Sequence, residues 1–169
     1  MALAFQPRGK FNMPSFDQAR LFWYQWFMYL EEGAEAVAND PVGFARIQWD
    51  TWSPAGWYDE EDFVQTAKSF TNRDWAAITL QGYRSRFMTT ATDPRYDILQ
   101  QRMSAIDTIG VPTLVIMGAA DDCDPPATTE NMEHCFTGDY QRLVLDGVGH
   151  FPPREAPVTV AAALVEHFG

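Results

Sequence analysis

Two short apolar runs near the C-terminal end constrain this chain most. The first, residues 112–117, stops at Gly118 and opens into the polar loop "GAADDCDPP". The second lies in "YQRLVLDGVGH", leaves its last apolar position at Leu145 and reaches His150 through a glycine-lined turn. Helical periodicity follows each run, at about 127–136 and in the closing "REAPVTVAAALVEHF". Strand, loop, helix, strand, loop, helix predicts right-handed crossovers and a parallel sheet, hence an α/β fold class. In such sheets functional groups collect in the loops beyond the carboxyl ends of the strands. Asp121 and His150 occupy those two loops.

The preceding stretch has a different texture, helical and rich in aromatics. In "PSFDQARLFWYQWFMYL", Ser15 is an N-cap and Gln18 completes a capping box. Phe16, Ala19, Phe22, Trp23, Trp26, Phe27 and Leu30 form one stripe at helical spacing, and Leu21, Tyr24 and Met28 form a second. A helix apolar on two faces is expected to be sandwiched between layers. The acids at 59–62 suit a first helical turn, a third helix is expected over 73–87, and Asp93-Pro94 opens a fourth ending near 106. At the other end "ALAF", residues 2–5, reads as a strand closed by the turn at 6–9.

Length and charge narrow the function. A chain of 169 residues holds one domain, or a compact lobe with an insertion. A net charge of -11 repels phosphate backbones, which argues against a nucleic-acid partner. No apolar run approaches the ~20 residues that span a bilayer, and "MALAFQPRGK" has no cleavable signal pattern, so no membrane role is expected. Cys123 and Cys135 read as reduced thiols of a cytoplasmic protein. The group Asp121, Asp122, Cys123, Asp124, His134 and Cys135 lacks zinc-finger or EF-hand spacing, so no metal and no cofactor are expected. His134 and His167 fall near helix C-termini, where a positive charge is favourable.

An acid and a histidine on neighbouring strand ends form a chemically useful pair. The carboxylate holds one ring nitrogen protonated and leaves the other to act as a base. Asp122 and Asp124 lie close enough to Asp121 to remain alternatives for the acid.

"PTLVIMGAADD", the helix after it, and "LVLDGVGHFPPREAP" together resemble the last two strands of an α/β-hydrolase. The resemblance implies that Asp121 is the triad acid and His150 the triad base. It also implies that 14–107 is the helical cap inserted after the sixth strand, with 1–13 supplying that strand and a linker, and 108–169 the C-terminal part of the core. More narrowly, "FWYQWF" and "LQGYRSRF" resemble cap segments of epoxide hydrolases that each bring a tyrosine to the pocket. The matching residues are Tyr24 and Tyr83, whose phenols suit hydrogen bonding to an epoxide oxygen as its C–O bond breaks.

The base needs a nucleophile to serve. In this family it sits on a sharp strand-to-helix turn in a G-x-S-x-G-like sequence. The five serines, Ser15, Ser53, Ser69, Ser85 and Ser104, all lie outside such a motif, and no Gly-x-Asp-x-Gly replaces it. The expected fold is therefore a partial α/β-hydrolase: parallel strands with an inserted all-helical cap, the first five strands and the nucleophile lying upstream. The expected function is epoxide-hydrolase-like, on a small apolar substrate, with an upstream half-chain or a second copy as partner. A serine carboxylic-ester hydrolase of the same fold, or an inactive fragment that binds a partner, are the alternatives.

Overall fold

A computed structural model describes residues 14–85 and 93–169, which form two compact units. The strand read at 2–5 and the end of the helix read to Phe87 lie outside the described residues.

The first unit is all helical. Helix α1 (Phe16–Leu21) starts as its sequence predicts, with the Ser15 hydroxyl accepting the Gln18 N–H at 3.1 Å. The run predicted as one helix breaks at Phe22, and α2 (Trp23–Tyr29) begins after it. The Trp26 indole N–H takes the Ala19 carbonyl at 3.1 Å. That carbonyl is the acceptor the residue-23 N–H would use in an uninterrupted helix. The two stripes also sort differently from a simple sandwich. Phe16 is 96% exposed, whereas Tyr24 and Met28 of the second stripe are buried.

Helices α3 (Glu31–Asn39) and α4 (Pro41–Thr51) continue the unit, the latter capped by Asp40, whose carboxylate accepts the Gly43 N–H at 2.8 Å. Asp59 caps α5 (Glu60–Ala67) in the same way, and the acids of its first turn complement the helix dipole. Trp49 packs edge to face on Tyr58 and on Phe63, which is 1% exposed, and lies tilted against Trp57. Arg46 lies 3.5 Å over the Phe63 ring and pairs with both oxygens of Glu60 at 2.6 Å, closing the cluster towards solvent. Helix α6 (Trp75–Arg84) packs on α2 and α3.

The second unit carries the sheet. Asp93 caps a 3₁₀ turn, Pro94–Tyr96, that leads into α7 (Asp97–Ser104). Strands β1 (Thr113–Gly118) and β2 (Tyr140–Leu145) pair in parallel, in register from Thr113 opposite Tyr140 to Gly118 opposite Leu145. An isolated bridge between Ile109 and Phe136 prolongs the pairing. The sheet has two strands among the described residues.

Between β1 and β2 the expected helix at 127–136 does not form; two 3₁₀ turns, Pro126–Thr129 and Glu133–Cys135, stand there instead. The Thr128 and Thr129 hydroxyls bond back to the Pro125 and Pro126 carbonyls, and Asn131 adopts φ 58°, which reverses the chain. Arg142 of β2 holds the first turn against the strand, donating to Thr129 Oγ1 at 2.9 Å and to the Pro126 carbonyl at 2.6 Å. After β2 the closing helix is divided at Ala156, ahead of Pro157, into α8 (Pro152–Glu155) and α9 (Pro157–Phe168), both packed on β1.

Candidate active site

The strand register brings two loops to the same end of the sheet. A Cβ on Gly118 would lie 2.1 Å from the Gly149 carbonyl oxygen and 2.3 Å from that of Val148, so only glycine allows this approach. Two main-chain bonds then join the loops: Ala119 N–H to the Leu145 carbonyl and Ala120 N–H to the Val148 carbonyl, each 2.9 Å. Gly147 turns the β2 loop back with φ 70°, a conformation that costs other residues energy.

This framework sets Asp121 Oδ2 at 2.8 Å from His150 Nδ1. Asp121 Oδ1 accepts the N–H groups of Cys123 and Asp124, both at 2.8 Å, and the residue is only 7% exposed. Three partners compensate the burial of the carboxylate and fix its direction. The His150 ring is half-buried. Pairing through Nδ1 orients the imidazole and assigns any proton transfer to Nε2.

Of the three neighbouring acids, Asp121 is the one on His150. Asp122 is exposed, and burial pushes the half-buried Asp124 carboxyl above the ordinary carboxylate range. His134 instead bonds the Asn131 carbonyl through Nδ1 and lies 3.4 Å from Cys135 Sγ, and both cysteines are free thiols. Among the described residues no group of His, Cys, Asp and Glu is arranged to hold a metal ion.

In the helical unit, Tyr24 of α2 and Tyr83 of α6 meet edge to face, their ring centres 5.4 Å apart. Arg84 holds the two helices together. Its Nε donates to the Met28 carbonyl at 2.7 Å, and Nη2 reaches the Leu30 carbonyl at 3.2 Å and Glu31 at 3.3 Å. The Met28 carbonyl is one that the end of α2 leaves without a helical donor, whereas that of Leu30 also accepts the Ala34 N–H at 3.0 Å. Gln25, buried beside Tyr24, donates to its hydroxyl at 3.2 Å.

No protein-family model matches the chain. Epoxide hydrolase A of Mycobacterium tuberculosis is 39% identical over 133 residues, which is 77% of this chain and 38% of that protein. A Klebsiella pneumoniae protein solved as a candidate epoxide hydrolase superposes with a TM-score of 0.83 at 30% identity, covering 92% of this chain and 52% of that one. The chain is a homologue of the epoxide hydrolases. The Cif epoxide hydrolase from Acinetobacter nosocomialis shares the fold, with a TM-score of 0.67 at 17% identity over 88% of this chain and 45% of its own. This epoxide-hydrolase homologue thus has part of an α/β-hydrolase fold. It spans about half the length of those solved structures and 38% of the curated relative.

Two contributors to the geometry of this homologue escape a reading of the sequence: the close approach at Gly118 and the carboxylate of Glu155. The Glu155 carboxylate accepts the Gly149 N–H at 2.6 Å and the Phe151 N–H at 2.8 Å. An acid in the first turn of a short helix behind two prolines was the available signal for it. No helix among the described residues is long and apolar enough to cross a membrane.

Proposed function

We propose that this chain supplies the acid, the base and the substrate-covering cap of an epoxide hydrolase. The observation that carries the reading is the 2.8 Å contact between buried Asp121 and His150 Nδ1 at the strand ends. In this reaction a carboxylate nucleophile, supplied by the part of the fold this chain does not span, attacks an epoxide carbon. The C–O bond breaks, and Tyr24 and Tyr83 hydrogen-bond to the departing oxygen, one of them giving it a proton. The product of this step is a covalent ester. His150 Nε2 then removes a proton from water, the resulting hydroxide attacks the ester carbonyl, and Asp121 stabilises the imidazolium that forms. The diol leaves, the carboxylate is restored, and the imidazolium returns its proton to the tyrosinate, which resets both groups.

The edge-to-face packing of Tyr24 and Tyr83, held by Arg84, supports the phenol role, because two donors that serve one oxygen must lie close together. The helices of 14–85 act as the cap, and a small apolar epoxide suits their aromatic composition.

The test is reconstitution. The chain is produced with a complementary segment that carries the early strands and a nucleophile turn, and terminal aryl epoxides and aryl acetates are offered separately. Conversion of epoxide to diol, with oxygen from ¹⁸O-labelled enzyme carboxylate in the first turnover, is the expected result. Ester cleavage alone would replace this reading with a serine esterase, and turnover of neither class would leave a binding module.

A further inference from the structure

We infer that Glu155 is a positioning residue for His150: its carboxylate clamps the two peptide groups flanking the histidine and thereby keeps the ring on Asp121. This inference rests on the reading of His150 as the base. Gly149 and Phe151, the chain neighbours of His150, both donate their N–H groups to this one side chain, one to each oxygen. Bonds to a charged acceptor are about twice as strong as neutral ones. The connecting residues Pro152 and Pro153 carry no N–H of their own, the Arg154 N–H is taken by the Phe151 carbonyl at 2.8 Å, and the fixed φ of the prolines sets the distance of the carboxylate from the loop. From the opposite side the Ala120 N–H holds the Val148 carbonyl. The main chain is therefore pinned at 148, 149 and 151, and the only residue between the last two is His150.

Pinning both sides of a residue fixes the direction of its Cα–Cβ bond, and only then is a 2.8 Å contact to a buried carboxylate the resting state of the ring. A carboxylate that merely capped α8 would need the Phe151 N–H alone. The bond to Gly149, outside the helix on the far side of His150, marks the wider role.

The chain has three histidines, His134, His150 and His167, so the ring nitrogens of His150 are readily assigned in ¹⁵N-labelled protein. The full chain is expected to show a proton held at Nδ1 of His150. Glu155→Gln, which replaces one acceptor with an amide N–H facing a backbone N–H, should lose that signature. It should also speed amide exchange at Gly149 and Phe151 by about ten-fold. Asp121→Asn is the control. If Glu155→Gln retains the Nδ1 proton signature while Asp121→Asn abolishes it, the clamp is overturned and the pair stands. If Asp121→Asn also retains it, the pair itself fails. Should the glutamine variant not fold, the same readouts are taken on Glu155→Asp. Its shorter arm is expected to weaken both, and an unchanged signature there overturns the inference.

Discussion

The Gly149 carbonyl oxygen stands 2.1 Å from the point where a Cβ on Gly118 would be, so a single hydrogen atom separates the two loops that carry Asp121 and His150. Neither obstructing atom belongs to a flexible side chain; both are backbone. Gly118→Ala must therefore push the β2 loop away. The expected cost is about 1–3 kcal/mol, the usual range for overpacking. It should appear as a lower thermal midpoint together with loss of the Nδ1 proton signature of His150. Gly147→Ala has open space around it and only its φ of 70° to oppose it, so it should cost less, ~1–2 kcal/mol. A Gly118→Ala chain that melts with the parent would contradict this packing.

Asp121 and Asp124 should separate in their effect on turnover. In the reconstituted enzyme, His150→Ala should cut turnover by about 10²–10⁴-fold while the first, ester-forming step persists, so that the covalent intermediate accumulates. Asp121→Asn should slow the same second step, and Asp124→Asn should leave it within a few-fold of the parent. Rapid-quench measurement of the ester distinguishes these outcomes. Equal losses in both Asn variants would reopen the assignment of the acid.

Removing Arg84 should loosen the helical unit. Arg84→Met leaves the carbonyl of buried Met28 without its guanidinium donor, at about 1–3 kcal/mol, whereas the exposed Leu30 keeps the Ala34 N–H. The near-ultraviolet signal of the Tyr24–Tyr83 pair should change along with the thermal midpoint. Arg84→Lys, with one point donor in place of a fork, should recover part of the loss.

Acid should weaken the α4–α5 contact with a definite sign. Arg46, bonded to Glu60, holds that carboxyl below its ordinary value of 4.5. The pair's contribution is complete above the unfolded value and is lost as pH falls through the folded one. Glu60→Gln should therefore melt below the parent at neutral pH, and the difference should close as the medium is acidified past that range. The side chain of Glu60 is largely exposed, so the effect will be small and will shrink in salt. A gap that widens on acidification would contradict the assignment.

What was readable in the sequence follows the range of the interactions involved. The N-caps at Ser15 and Asp93 use bonds between residues two or three apart, and the strands 113–118 and 140–145 announce themselves by apolar runs ending in loop residues. The nearness of Asp121 to His150 follows from strand order, because parallel neighbours must present their C-terminal loops side by side. The break at Phe22 depends on an indole reaching back seven residues, which helical periodicity does not register. The 3₁₀ turns after β1 depend on threonine hydroxyls that compete for main-chain carbonyls within a segment of helical spacing. Glu155 was hidden because its aim is set by the path of a loop and not by its place in a pattern.

The loop between β2 and α8 has an evolutionary consequence. The bonds described for Asp121, His150 and Glu155 all run within residues 118–155, so the proposed proton-handling group is specified by a segment of some forty residues. The aromatic helices of 14–85 are held by contacts of their own. Under the proposed function, selection can therefore reshape what is accepted while inheriting unaltered how a proton is moved, and a lineage can diversify its substrates without relearning its chemistry.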